Sequence, residues 1–212
     1  MDLGYLAIVL VVILVSMVLH ELMHGAVAYW LGDDTAKAQG RLTLNPIKHI
    51  DPFMSILLPM ILALSGGPIF GGAKPVSVNT RNLKYNEWGF ALVAIAGPIT
   101  NLLLAFIAFV VGHMTGIIYV GGEAGFWTAF VMAFVYVNLG FCIFNMLPIP
   151  PLDGSRVLYA IMPDFVRRVL EQMERWGIFI VFGLIMILGV AFSQFMLGMM
   201  LGIIDVFKWI VW

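Results

Sequence analysis

The sequence predicts an all-α polytopic membrane protein, with about four full transmembrane helices, a short re-entrant segment and small β strands on the cytoplasmic side. Three observations carry that expectation. Hydrophobic residues make up 62% of the chain and charged residues only 11%, with a mean hydropathy of +1.02, a balance outside that of water-soluble domains. Four apolar runs are long enough to cross a hydrocarbon layer of about 30 Å. Counting those four as crossings places ten of the eleven lysines and arginines on one side, as the positive-inside rule requires.

Residues 3–31 form the first run, closed by Gly32-Asp33-Asp34, a helix-stop signal. The run lacks a basic leader and a small-residue cleavage site, so it is expected to stay attached. Residues 37–44 partly alternate before Asn45-Pro46, which suggests a short strand. Residues 53–64 are apolar but short and contain Pro59, which suits a re-entrant piece better than a span. A glycine-rich stretch with Gly66, Gly67, Gly71 and Gly72 follows, and then residues 74–78, a second candidate strand.

Residues 88–111, interrupted by Gly97-Pro98, are the second span, residues 126–144 the third and residues 176–201 the fourth. Residues 164–175 read as an amphipathic surface helix with Arg167, Arg168 and Arg175 near anionic lipid. The form of residues 176–212 stays open, because Gly198, Gly202 and Asp205 permit either one span with a tail or a longer bent element. The charge layout puts both termini on the non-cytoplasmic side of a cytoplasmic membrane. A formal net charge of -1 leaves no basic footprint for nucleic acid. The single cysteine, Cys142, excludes an internal disulfide.

His20-Glu21-Leu22-Met23-His24 lies inside the first span, where three ionisable side chains would cost several kcal/mol unless partnered. Residues four apart on a helix lie one above the other, so His20 and His24 can direct two imidazoles at one ion while Glu21 stands beside it. A hydrolytic zinc takes three protein ligands and keeps one position open. Asp153 is the candidate third ligand. It lies in a turn rich in proline and glycine, Leu147-Pro148-Ile149-Pro150-Pro151-Leu152-Asp153-Gly154, on the same side of the membrane. A helix N-cap is its alternative role. Glu21 is then a general base. Asn145 and Asn101 are candidate hydrogen-bond donors to an oxyanion, each with tying helices together as its alternative role. His49 reads as a loop or interface histidine with replacement of Asp153 at the site as its alternative role, and His113 reads as interfacial.

The histidine motif, Gly97-Pro98-Ile99-Thr100-Asn101, and the stretch from Asn145 to Gly154 together resemble the signature set of the site-2 protease family of intramembrane zinc metalloproteases, in its small prokaryotic form. Residues 40–46 and 73–76 also resemble stretches of that type. The resemblance covers about residues 16–160. It implies a three-helix catalytic core, one Zn2+ per chain on His20, His24 and Asp153, Glu21 as base, and Asn145 as an oxyanion or positioning group.

The expected organisation is one membrane-embedded metalloprotease domain over residues 1–212, with a catalytic core at about 3–160 and an amphipathic segment plus extra span at 161–212. No regulatory domain of the PDZ or CBS type is expected. The substrate would be a transmembrane protein in the bilayer, cut by regulated intramembrane proteolysis nearer the cytoplasmic face. Unwinding a substrate helix exposes its backbone, so Arg41, Leu42, Thr43 and Leu44, or residues 75–78, are candidate edges for it to pair with. Two other readings compete: a zinc hydrolase of a non-protein amphiphile, and a metal-ion transporter. The oligomeric state is not legible.

Overall fold

The computed structural model describes residues 3–52, 57, 60–61, 74–118 and 125–211. Seven α-helices are present among them: α1 (Leu3–Trp30), α2 (Thr35–Ala38), α3 (Asn86–Met114), α4 (Phe126–Asn145), α5 (Asp153–Ile161), α6 (Asp164–Glu174) and α7 (Gly177–Val211). Four of them, α1, α3, α4 and α7, are long and apolar enough to cross a membrane. The chain is therefore an all-α polytopic membrane protein, as its composition predicts. Most of the expected re-entrant segment, with Pro59 and the glycines at 66, 67, 71 and 72, lies outside the described residues.

The two expected strands are absent among the described residues. Residues 35–38 make a helical turn instead, closed when Arg41 N–H donates to Ala36 O at 2.9 Å. Residues 74–79 carry no regular structure and find no ladder partner. Their N–H groups go elsewhere: Lys74 donates to His49 O at 2.9 Å and Asn79 to the Asp33 carboxylate at 2.7 Å. Alternation is a poor guide here because the N–H groups of Lys74, Val76 and Asn79 find point acceptors rather than a neighbouring strand.

Helices α1, α3 and α4 pack against one another and form the core. Spans that are apolar all round give no hint of which face turns inward; the polar and small residues do. On α1 the buried line includes Ser16, His20, His24 and Ala28, spaced four apart. On α3 it includes Ala94, Gly97, Asn101 and Ala105, at three- and four-residue steps. Small side chains let the backbones approach, and the polar ones meet between them. The third span contributes Val135, Asn138 and Leu139.

The long α7 leans on this core through Ile204 and Phe207, which join Ala105, Phe109, Val135, Leu139 and Ile143 in one apolar cluster. At 35 residues it is a single unbroken helix, longer than the hydrocarbon layer needs. Much of its surface, including Met186, Ile187 and Val190, is exposed for lipid.

The turn after α4 brings the chain back to the core. Gly154 sits against the carbonyls of Met146 and Leu147, where any side chain would collide. Helix α5 can thus begin at Asp153, close under the end of α4. Arg167 then closes α5 by donating to Tyr159 O at 3.0 Å and Ala160 O at 3.2 Å, and it lies 3.9 Å from Glu87. Arg156 pairs with Glu174 on α6. Two of the basic groups on this surface are thus engaged inside the protein.

Candidate metal centre

His20 and His24 project from adjacent turns of α1, and Asp153 meets them from the first turn of α5. The two Nε2 atoms are 3.0 Å apart, and Asp153 Oδ2 lies 3.3 Å from one and 3.4 Å from the other. Four ligands bound tetrahedrally at zinc distances stand about 3.3 Å from one another, so these separations suit one ion at their centre. All three side chains are largely withdrawn from solvent.

The far side of each imidazole is also satisfied. His24 Nδ1–H donates to Val93 O at 2.7 Å, and His20 Nδ1–H donates to Asn101 Oδ1 at 2.5 Å. With both Nδ1 positions acting as donors, both Nε2 atoms present lone pairs to the same point as the carboxylate. Three electron-rich atoms so close together favour a cation between them. The donor set of two imidazoles and one carboxylate is a zinc type, with the outer hydrogen bonds that fix ligand orientation in place.

Gly97 on α3 makes room for the cluster. A Cβ there would stand 2.5 Å from His24 Nε2 and 2.6 Å from His20 Nε2. The glycine therefore allows the imidazole pair to lie against the helix, and the helix runs on through Pro98 without a break.

Glu21, one residue along from His20, turns its carboxylate to the other side. Its Oε2 accepts the Val76 backbone N–H at 2.9 Å. The segment 74–79 thus lies alongside Glu21, pinned at both ends. At one end Lys74 holds to His49 O; at the other, Asp33 accepts from Asn79 N and, at 3.2 Å, from Asn82 Nδ2. Asp33 is fully buried and also accepts from the Thr35 N–H and hydroxyl. Burial works against its charged form, yet these four donors hold its carboxyl below the usual aspartate range.

A cavity of about 1160 Å³ opens on the cluster. Its walls include His20, Glu21, His24, Asn145 and Asp153, with Pro75, Val76 and Val78 at one side. From there it runs between α1, α4 and α7 past Val9, Tyr136, Phe182 and Met196, an apolar groove ending at a polar, metal-competent point.

The candidate residues read from the sequence separate into three groups in space. His20, Glu21, His24, Asp153 and Asn145 share the cavity, and the Asn145 amide donates to Phe141 O on its own helix at 3.1 Å. Asn101 stands behind His20, bonded to it. Arg41, Leu42, Thr43 and Leu44 are absent from the cavity wall among the described residues. Arg41 donates to Lys48 O, and Leu42 packs on α1 at Gly25. His49 is buried apart from the cluster, donating to Thr43 O at 2.9 Å.

The sequence reading gives no site role to Asp33, Ser16 or Asn138, and holds Gly97 only as part of the motif at residues 97–101. Ser16 and Asn138 carried a visible signal, since each is a polar residue within an apolar span and Ser16 lies one turn before His20.

The model of Peptidase family M50 matches residues 8–119 and 111–188. Three relatives are each named as a "putative zinc metalloprotease". YwhC of Bacillus subtilis is 46% identical over 84% of this chain and 78% of its own length. Rip2 of Mycolicibacterium smegmatis is 32% identical over 84% of this chain and 68% of its own. MJ0611 of Methanocaldococcus jannaschii is 34% identical over 66% of this chain and 63% of its own. No solved structure matches.

Proposed function

The chain belongs to peptidase family M50, the site-2 protease family, and from that premise we propose that it is an endopeptidase cutting peptide bonds in or near transmembrane segments of other membrane proteins. It is a zinc metalloprotease with Zn2+ as its cofactor and several membrane-spanning helices. The observation that supports the substrate class is the cavity. A wall of side chains from three apolar helices leads to the His20, His24 and Asp153 group, which suits an apolar segment arriving from the bilayer.

In this reading His20, His24 and Asp153 hold the ion. Zinc held there would supply Lewis-acid polarisation of the scissile carbonyl and would make water a stronger acid. Glu21 removes a proton from the attacking water and delivers it to the departing amine. Its carboxylate is kept beside the cluster by the hydrogen bond it accepts from the Val76 N–H. Asn145 can donate to the oxyanion once its amide turns from Phe141 O toward the cavity.

A helical substrate hides its carbonyls in its own hydrogen bonds, so it must unwind before attack, and the freed groups need partners. Residues 75–78 supply the better edge: Pro75, Val76 and Val78 line the cavity, and the Val76 N–H donates to Glu21. Residues 41–44, which are not among the described lining residues, rank second as that edge. The positive-inside pattern supports a site nearer the cytoplasmic face of the cell membrane, with both described chain ends on the opposite side. The packing of α5 and α7 on the three-helix core, with α6 against both of them, supports reading the chain as one domain.

The test is cleavage of single-span substrates by purified protein beside a Glu21→Gln variant. Loss of cleavage with zinc retained supports the assignment; cleavage by the variant at the wild-type rate rejects it. Val76→Pro, which removes the N–H that Glu21 accepts, should slow cleavage more than Leu42→Pro does, with zinc retained. The reverse order would return the edge to residues 41–44.

A further inference from the structure

Behind the metal cluster runs a line of buried side chains that the reaction itself does not use. Ser16 on α1, Asn101 on α3 and Asn138 on α4 are all fully buried. Asn138 Nδ2 donates to Phe134 O at 2.8 Å and to Ser16 Oγ at 2.9 Å. Its Oδ1 accepts from Asn101 Nδ2 at 2.8 Å, and Asn101 Oδ1 accepts from His20 Nδ1 at 2.5 Å. One chain of hydrogen bonds therefore crosses all three core helices and ends on a metal-ligating imidazole.

We infer that Asn138 is a positioning residue: acting through Asn101, it fixes the tautomer of His20 and thereby aims the His20 Nε2 lone pair at the metal. This rests on the zinc-site reading above and adds to it the means by which one ligand is preset.

The polarity of each link follows from chemistry. A main-chain carbonyl can only accept, so Asn138 must turn its NH2 toward Phe134 O. Its oxygen then faces Asn101, which must answer with its own NH2. That leaves Asn101 with an oxygen toward His20, and an oxygen that only accepts requires a proton on Nδ1. The other ring nitrogen is then bare. Reversing either amide reverses the outcome, because an NH2 facing Nδ1 would put the ring proton on Nε2 and remove the lone pair.

His24 reaches the same state by a shorter route, since its Nδ1–H donates directly to the Val93 carbonyl. Both ligands thus take their tautomer from a backbone oxygen, one directly and one through two amides. Ser16 is the compliant member, because a hydroxyl can donate or accept, and it dictates nothing. The ring nitrogen opposite the metal is where ligand orientation is set, and loss of such partners costs metal affinity by 10–100-fold.

The experiment measures zinc affinity by chelator competition on the full chain in detergent, with helical content and melting followed in parallel. Asn138→Leu should bind zinc about 10–100-fold more weakly, and Ser16→Ala should lose less. Adding Asn101→Asp to Asn138→Leu should recover at least about tenfold of that loss, because a carboxylate has no N–H to offer His20 and restores an obligate acceptor. If Asn138 only packs helices together, the double variant binds no better than the single one, and that result overturns the inference.

A second measurement needs no variant. Nitrogen-15 histidine spectra of zinc-stripped wild-type protein at alkaline pH should find His20 protonated on Nδ1, and a proton on Nε2 would overturn the inference equally. His20→Ala separates the two levels. Zinc retained in that variant rejects the zinc site itself, whereas zinc lost there and unchanged in Asn138→Leu rejects only the tautomer lock.

Discussion

The inner three helices and α7 are built from similarly apolar sequence but held by different forces. Between α1, α3 and α4, hydrogen bonds among Ser16, Asn138, Asn101 and His20 run through buried space, and Gly97 and Ala105 bring the backbones close. Helix α7 has no such bonds to the core among those described. It leans through Ile204 and Phe207 and leaves most of its length to lipid. In a bilayer, apolar surface gains little by leaving lipid for protein, so van der Waals fit and polar ties decide where helices sit. The core therefore sets atomic positions, while α7 supplies a wall to the groove.

Substitutions on the two sides should differ in kind. The largest effect is expected at Gly97→Ala. Its new Cβ would occupy the space of both imidazoles, so zinc affinity should fall by two orders of magnitude or more and cleavage with it. Metal analysis of purified protein checks this, and a zinc-replete Gly97→Ala protein would break the distinction at its sharpest point.

Next comes Phe207→Ala on α7. It removes a ring packed on Phe106 and Phe109 and should cost about 2–4 kcal/mol of stability, with zinc per folded chain unchanged. Thermal unfolding beside metal analysis separates the two readouts, and zinc loss here would mean that α7 also shapes the metal site.

A smaller effect, about 1–3 kcal/mol, is expected for Asp33→Asn, which weakens the four-donor anchor of the segment beside Glu21. Its pH dependence has a definite sign. The carboxyl is held below its unfolded value, so its contribution is present in full above about pH 4 and fades as pH falls through the lower folded value. The stability gap between wild type and Asp33→Asn should therefore narrow below about pH 4. A gap that widens with acid would contradict the assignment. Met186→Ala, on the lipid side of α7, should stay within about 0.5 kcal/mol of wild type by thermal unfolding.

The spans were legible because each is a run of apolar residues of the length a bilayer demands, and the four crossings agreed with where arginine and lysine lie. The ligand trio was legible for the opposite reason. Histidine is expensive inside a span, so the candidate ligands His20 and His24 stand out there, while Asp153 is picked out by its proline- and glycine-rich turn on the same side of the membrane.

What sequence hid was contact between distant segments. Nothing in Gly32-Asp33-Asp34 announces that Asp33 gathers donors from residues 79 and 82, and alternation in residues 37–44 imitates a strand where the chain makes a helical turn. Gly97-Pro98 suggests a break, whereas the glycine clears space for two imidazoles within an unbroken helix. Asn138 could have been found by the reasoning that found the histidines, since a buried amide in a span needs a partner.

The most direct test of the central claim is zinc content of the folded, full-length protein beside its His24→Ala and Asp153→Ala variants, after brief chelation and dialysis. One zinc per chain in the wild type, with little in either variant, is the expected result. A full equivalent of zinc retained by Asp153→Ala would contradict the three-ligand centre, because the ion would then be held without the carboxylate that α5 brings to α1.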